Sequence, residues 1–156
     1  LITIIIPRHV GRVSSIEKEL NSLNLKVHLD EPQRKLSTNT DIYLVNSYGK
    51  TKSFYKECKN VFLGGSFVPR GGQNPLEPIR YGCYITHGKH TFNFTEIYNL
   101  LKRKKLSFEA KNFSQLKKII LKLFMRKFEN KRELNEFKKV GSKILNKYIT
   151  TLKGLI

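Results

Sequence analysis

The sequence has few cysteines and no long apolar run. Its two cysteines, Cys58 and Cys83, cannot form the framework of several disulfides that stabilises many small secreted proteins, and they favour a reduced, cytosolic setting. Cys83 lies in an apolar, strand-like run and is predicted to be a small core residue. No apolar run approaches the roughly 20 residues that a membrane-spanning helix needs.

Acidic side chains are also scarce. The sequence has 12 Asp and Glu against 30 Lys and Arg, for a formal net charge of +18. The excess is concentrated in residues 102–156, which hold 17 basic and 4 acidic side chains. This balance predicts an anionic partner. For the basic helices predicted over 111–153, a solvated face is the simplest interpretation and anionic phospholipid the next. Nucleic acid comes last because no recognisable nucleic-acid-binding motif is present.

Strand-like and helical patterns alternate along the 156 residues, a length typical of one domain with its own core. Strands are predicted at 1–6, 25–29, 41–45, 61–63, 83–86 and 106–109. Helices are predicted at 14–23, 50–58, 74–81, 93–101, from 112 onwards and at 131–152. The continuous β-branched run at 1–6 is typical of a strand buried on both faces. The alternation predicts an α/β fold with a Rossmann-like parallel sheet flanked by helices.

Local signals also mark where helices begin. Ser14-x-x-Glu17 has the spacing of a capping box, and Asn93-x-x-Glu96 and Asn112-x-x-Gln115 predict two further helix starts. Pro75 fits the first position of a helix, where its missing N–H costs little.

One segment, residues 64–78, combines two Gly-Gly pairs, an Asn-Pro and a single carboxylate between a strand and a helix. Glycines allow a ligand close to the backbone, and a helix start suits a phosphate. A carboxylate one turn inside that helix can accept hydrogen bonds from sugar hydroxyls. The alternative is a glycine-rich surface loop. The predicted nucleotide-sugar-binding residues here are Gly64, Gly65, Ser66, Gly71, Gly72, Gln73, Asn74 and Glu77.

Basic side chains follow the first predicted strand directly. In an open parallel sheet, ligands bind beyond the carboxyl ends of the strands. Arg8 and Arg12 can grip a phosphate or a sugar carboxylate through paired hydrogen bonds, with His9 beside them. A solvated turn is the alternative. His87 and His90 follow another strand, but they lack Cys or acidic partners at metal-ligand spacing, so neither a metal site nor a cofactor is predicted.

The sequence resembles a known family across about residues 3–101. The matching segments are Pro7-Arg8-His9 with Arg12, Gly64-Gly65-Ser66, Gly71 through Pro78, Gly88, and Thr91-Phe92-Asn93-Phe94-x-Glu96. They are similar to the C-terminal half of 3-deoxy-D-manno-octulosonic acid (Kdo) transferase, a bacterial inner-membrane enzyme of the GT-B class. The resemblance implies CMP-Kdo as donor and a lipid A precursor as acceptor. It also implies that the catalytic base lies in an N-terminal acceptor domain absent from this chain.

The chain departs from that family's pattern in two places. After the third strand the family usually carries Asp-Thr-x-Gly-Glu-Leu. Asn46 and Lys50 here make the local charge more positive by about 3 at neutral pH. The resemblance still implies nucleotide contacts from the backbone N–H groups of Tyr48 and Gly49. Gln73 stands where the family usually has His, and a glutamine cannot titrate.

The sequence therefore favours the donor-binding domain of a Kdo transferase acting at the cytoplasmic face of the inner membrane. Since the chain opens directly on a strand, we expect it to be part of a longer protein and inactive alone. A GT-B transferase that uses a UDP-sugar is the first alternative. A basic membrane- or nucleic-acid-binding module without enzymatic activity is the second.

Overall fold

The computed structural model describes residues 2–33 and 35–125, together with residues 139, 142–143, 146, 149–151 and 153–154. Most of the helix predicted over 131–152 lies outside the described residues. The chain divides into two compact units, Leu1–Thr51 and Lys52–Ile156.

The first unit contains a three-stranded parallel sheet. Its strands are β1 (Thr3–Ile5), β2 (Val27–Leu29) and β3 (Ile42–Leu44), in the order β1-β3-β2. A 3-10 turn at Val10–Arg12 leads into helix α1 (Val13–Ser22), which connects β1 to β2. The core of this unit consists of Val13, Ile42 and Leu44 with partly buried apolar neighbours. β1 is only partly buried, unlike the fully buried strand predicted, because it lies at the edge of this sheet.

The second unit contains another three-stranded parallel sheet, preceded by helix α2 (Thr51–Glu57). Its strands are β4 (Asn60–Leu63), β5 (Tyr84–His87) and β6 (Ser107–Glu109), in the order β4-β5-β6. Helices α3 (Leu76–Arg80), α4 (Thr95–Arg103) and α5 (Phe113–Met125) follow these strands in turn. All four residues of β5 are buried, as expected for the central strand of a sheet covered by helices.

The structure confirms the predicted class, because both described sheets are parallel and a helix follows each of their strands except β2. Cys83 is a core residue as predicted, and its thiol donates hydrogen bonds to the carbonyls of Cys58 (3.0 Å) and Tyr55 (3.4 Å). Burial, reinforced by the neighbouring Cys58, raises the pKa of this thiol to about 12. Cys83 is therefore an unreactive packing residue.

The predicted helix starts have different outcomes. At α5 the prediction is confirmed, since Asn112 Oδ1 accepts from the N–H of Gln115 at 2.9 Å. At α1 it is wrong: the helix begins at Val13, and no side-chain cap is present. The cap predicted at Asn93 is also wrong, because a 3-10 turn at Phe92–Phe94 leads into α4. In both cases the preceding 3-10 turn brings the chain into the helix without a capping side chain.

Among the described helices, none combines the length and the apolar character that a membrane span requires.

Candidate functional site

In the first unit, the predicted residues after β1 are exposed. Arg8 and His9 lie just beyond the strand, and Arg12 ends the following 3-10 turn. Within the described part of the chain, neither guanidinium group makes a hydrogen bond or an ion pair, so both can bind an anion. Their position beyond a strand end is the one that the sequence predicted.

The loop after β3, residues 46–50, also carries predicted site residues. Tyr48 is 73% exposed, and its hydroxyl accepts a 3.4 Å hydrogen bond from the N–H of Val10, in the turn after β1. Gly49 has φ +85°, a conformation that glycine adopts without strain. At the end of the loop, Lys50 forms a 2.7 Å ion pair with Asp30. The loop is therefore fixed at its base while Tyr48 projects outwards.

In the second unit, Ser66 is the centre of the glycine-rich loop (residues 64–75). Its hydroxyl donates to the carbonyl of Leu63 at 2.7 Å and accepts from the N–H of Gly88 at 2.8 Å. Its carbonyl accepts from the N–H of His90 at 2.9 Å. Since Ser66 has no exposed surface, we revise its predicted role. It holds the loop in shape, and a ligand would meet the loop through other residues.

Close contacts explain two further glycines. A Cβ on Gly71 would overlap the side-chain amide of Asn93, and one on Gly72 would lie 3.1 Å from the carbonyl of His90. Both glycines have positive φ, +83° and +72° respectively. The loop is closed by a hydrogen bond from the N–H of Gly72 to the carbonyl of Gly65, at 3.2 Å. Gly71 and Gly72 thus let residues 90–93 pack directly against the loop.

The end of the loop carries three predicted polar residues. The side-chain Oδ1 of Asn74 accepts from the N–H of Leu76 at 2.9 Å, at the start of α3. The backbone carbonyl of Gln73 accepts from the hydroxyl of Tyr98 at 2.9 Å. Glu77 lies in the first turn of α3 and makes no hydrogen bond or ion pair within the described residues. Burial, with a contribution from the Glu77 charge, raises the pKa of Tyr55 to about 12.

Helix α3 is shorter than the predicted 74–81, spanning only Leu76–Arg80. Such a short helix contributes little dipole, so backbone N–H groups of the loop itself carry the capacity to bind an anion. Within the described part of the chain, the N–H groups of Gly64, Gly65 and Gly71 donate to no protein acceptor. The loop carbonyls are occupied instead, including those of residues 65, 66, 70, 71 and 73. The loop therefore presents unpaired donors, as an anion-binding loop does.

His87, at the end of β5, is buried. Its Nδ1 donates to the carbonyl of Gly88 at 2.7 Å, and its Nε2 has no hydrogen-bond partner within the described residues. Burial lowers the pKa of His87, although the hydrogen bond to Gly88 and the nearby Glu109 oppose this effect. The ring lies 4.4 Å from that of Tyr98. Around these and the other described residues, no group of three or more His, Cys, Asp or Glu is placed to hold a metal ion.

Some residues that shape the site do not stand out in the sequence. Asn93 fits a capping pattern, yet its N–H donates to the carbonyl of Gly71 (3.3 Å) and its side chain to that of Arg70 (3.4 Å). Tyr98 looks like a core residue of an amphipathic helix. Asp30 has no local signal, because its partners follow it by 13 to 20 residues.

No family model matches the sequence. The chain is 34% identical to a 3-deoxy-D-manno-octulosonic acid transferase of Haemophilus influenzae over 101 residues, which cover 65% of this chain and 24% of that protein. It is 29% identical to the enzyme of the same name from Aquifex aeolicus over 152 residues, which cover 97% of this chain and 41% of that protein. The chain thus spans less than half the length of these curated relatives.

A solved structure matches as well. It is the crystal structure of the C-terminal CMP-Kdo binding domain of WaaA from Acinetobacter baumannii. The match has a TM-score of 0.80 and 27% sequence identity, and it covers 90% of this chain and 73% of that one.

The parallel α/β architecture, with polar loops after the strands, is that of one half of a GT-B glycosyltransferase. Within that class, the chain is similar to Kdo transferases and corresponds to their C-terminal domain.

Proposed function

We propose that this chain is the donor-binding domain of a Kdo transferase and that it binds CMP-Kdo. The glycine-rich loop meets the phosphate through its unpaired N–H groups, and Glu77 accepts hydrogen bonds from the ribose hydroxyls. In the first unit, the exposed guanidinium groups of Arg8 and Arg12 are available to an anionic group. The structural likeness to a CMP-Kdo binding domain supports the choice of nucleotide.

One observation carries the proposal. Within the described residues, loop carbonyls such as those of residues 66, 70, 71 and 73 accept hydrogen bonds from residues 90–98, whereas the N–H groups of Gly64, Gly65 and Gly71 donate to no protein acceptor. A phosphate oxygen would supply these N–H groups with a charged acceptor.

An NMR titration of the full chain with CMP tests the proposal. We expect the largest amide shifts in residues 64–77, with smaller shifts after β1 and β3. A parallel titration with UDP separates CMP from the UDP-sugar alternative. Equal or tighter binding of UDP would replace the CMP-Kdo assignment. Shifts confined to 111–125 would instead indicate a basic binding module.

We further propose that the complete enzyme transfers Kdo to a lipid A precursor and that another part of the protein holds this acceptor. The chain spans less than half the length of its relatives, and we propose that the catalytic base lies in the part that it does not span. We therefore expect no product when the chain alone is incubated with CMP-Kdo and a lipid A precursor. Efficient transfer by the chain alone would contradict this division of roles.

The proposed acceptor places the enzyme at the cytoplasmic face of the inner membrane, and α5 offers a surface suited to anionic lipid. This helix has no acidic residue. Phe113 is 75% exposed and Phe124 50% exposed, and the cations of Lys118 and Lys122 are exposed on the same helix. A helix with exposed apolar side chains and cations and no acidic residue suits an anionic membrane interface, where each cation adds about 1 kcal/mol.

Vesicle sedimentation with phosphatidylglycerol-containing and pure phosphatidylcholine vesicles tests this surface. We expect binding to the anionic vesicles only, weakened by the double change Lys118→Glu and Lys122→Glu. The control makes the same change of charge on α2, with Lys52→Glu and Lys56→Glu. Equal losses from both double variants would show that net charge alone is responsible.

A further inference from the structure

The buried carboxylate of Asp30 organises the loop that follows β3. Asp30 comes directly after β2 and is 7% exposed. Lys50 Nζ donates to both of its oxygens, at 2.9 and 2.7 Å, and the hydroxyl of Tyr43 donates to Oδ1 at 2.8 Å. Ser47 adds a longer contact of 3.4 Å. A buried carboxylate needs such partners, because an unpaired charge away from water is costly.

The electrostatic balance at Asp30 favours the ionised form. Burial by itself would raise the pKa of Asp30, but the hydrogen bonds from Lys50 and Tyr43 outweigh burial and lower it. Asp30 is therefore ionised at neutral pH and pairs with the ammonium group of Lys50.

Two of the partners of Asp30 bracket the turn that presents Tyr48 and Gly49. Ser47 precedes this turn and Lys50 ends it, so the carboxylate holds the loop from both sides. Tyr48 in turn reaches the N–H of Val10, beyond β1. Asp30 thus connects the ends of β2 and β3, and Tyr48 connects the end of β3 to that of β1.

The hydrogen bonds between Lys50 and Asp30 require a positive charge at position 50. A glutamate there would bring a second carboxylate next to Asp30. Two like charges at such a distance disfavour both the loop conformation and the ionised state. The lysine at position 50 and the aspartate at position 30 are consequently matched to each other.

We propose that Asp30 and Lys50 are a pair of positioning residues that hold the Tyr48–Gly49 turn in the conformation that binds the nucleotide, and that a change of charge at one requires the opposite change at the other. This inference rests on the proposed function, because it assigns the turn to the nucleotide site. Neither side chain needs to touch the ligand.

Charge exchange in the full chain tests the pair. We expect Lys50→Glu to weaken CMP binding by about tenfold, or about 1.4 kcal/mol, and to shift the Tyr48 and Gly49 amides in the ligand-free NMR spectrum. Adding Asp30→Lys should restore the affinity to within about threefold, since residues in direct contact couple strongly. Lys50→Arg keeps the charge and should keep the affinity. The control is Lys26→Glu, the same reversal at an exposed position of the same unit.

The proposal is overturned if Lys50→Glu and Lys26→Glu weaken binding equally, or if the exchanged double variant binds no better than Lys50→Glu. If Lys50→Glu fails to fold, the milder pair Asp30→Asn and Lys50→Met is used. With these, the double variant should bind no worse than the weaker single variant, and additive losses would overturn the pair.

The experiment also separates this inference from the proposed function. Failure of the wild-type chain to bind CMP would contradict the donor-binding assignment. The ligand-free amide shifts of Tyr48 and Gly49 would still report whether Asp30 and Lys50 control the turn.

Discussion

Gly88 lies directly against Ser66, and its N–H donates to the serine hydroxyl at 2.8 Å. A Cβ on Gly88 would overlap the carbonyl oxygen of Ser66 and would lie 2.6 Å from its carbonyl carbon and 2.8 Å from the N atom of Phe67. These atoms belong to the backbone, so they cannot move aside as a flexible side chain can. The contact joins the loop after β4 to the loop after β5.

Gly88→Ala should therefore destabilise the protein by about 1–3 kcal/mol, the usual cost of forcing extra volume into a packed site. Gly11→Ala is the control, because nothing lies within 4 Å of a Cβ there and its φ is not positive. Urea denaturation of the two variants and the wild-type chain measures the difference. Similar midpoints for all three proteins would show that the two loops can separate without cost.

Gly64→Ala should separate ligand binding from folding. A Cβ at this position meets nothing within 4 Å, and Gly64 does not have a positive φ. Stability should change by less than about 0.5 kcal/mol, as for most surface substitutions. If the phosphate approaches the backbone here, CMP affinity should fall because the new methyl group occupies that space. Calorimetric titration measures the affinity, and an unchanged value would place the phosphate elsewhere on the loop.

Arg8→Ala and Glu77→Ala should lower CMP affinity and leave folding intact. Removing a charge-assisted hydrogen bond should cost about 1.5–3 kcal/mol of binding free energy in each variant. Neither charged group has a partner within the described residues, so the melting temperature should barely change. Arg80→Ala, at the exposed end of α3, is the control. A variant that melts far below wild type would show that its residue has a structural role. Wild-type CMP affinity in both variants would show that CMP binds elsewhere on the protein.

The stability of the protein should fall as the pH drops below the ordinary pKa of histidine, about 6.5. The pKa of His87 is lowered in the folded protein. Just below pH 6.5, the His87 side chain therefore binds a proton more readily in the unfolded chain than in the folded chain. The contribution of His87 is therefore fully present above pH 6.5 and is lost towards more acidic pH, by at most about 1.4 kcal/mol per pH unit.

Urea denaturation between pH 7.5 and 5 checks this dependence. His87→Gln, which cannot titrate, should flatten the profile, whereas the exposed His9→Gln should leave the wild-type slope. Identical slopes for both variants would show that other groups cause the acid sensitivity.

Local sequence patterns predicted the class of fold and the segments in which the candidate site lies. Alternating strand and helix patterns depend on local burial, and they predicted the six strands of the described residues to within a few positions. The cap of α5 by Asn112 was predictable because donor and acceptor are three residues apart. The glycine-rich segment and the basic residues after β1 also stood out as local patterns, and both lie beyond strand ends as predicted.

The contacts of several of these residues join distant parts of the chain and are visible only in the folded protein. Ser66 has its partner Gly88 at a distance of 22 residues, and Asp30 has Lys50 at a distance of 20. No local pattern encodes such pairs, because they form only when separate strands lie side by side. The folded structure also distinguishes the glycines from one another. Other parts of the chain pack directly against Gly71, Gly72 and Gly88, whereas Gly64 faces open space. The sequence does not distinguish these glycines, because the difference lies in which atoms of the folded protein a Cβ at each position would meet.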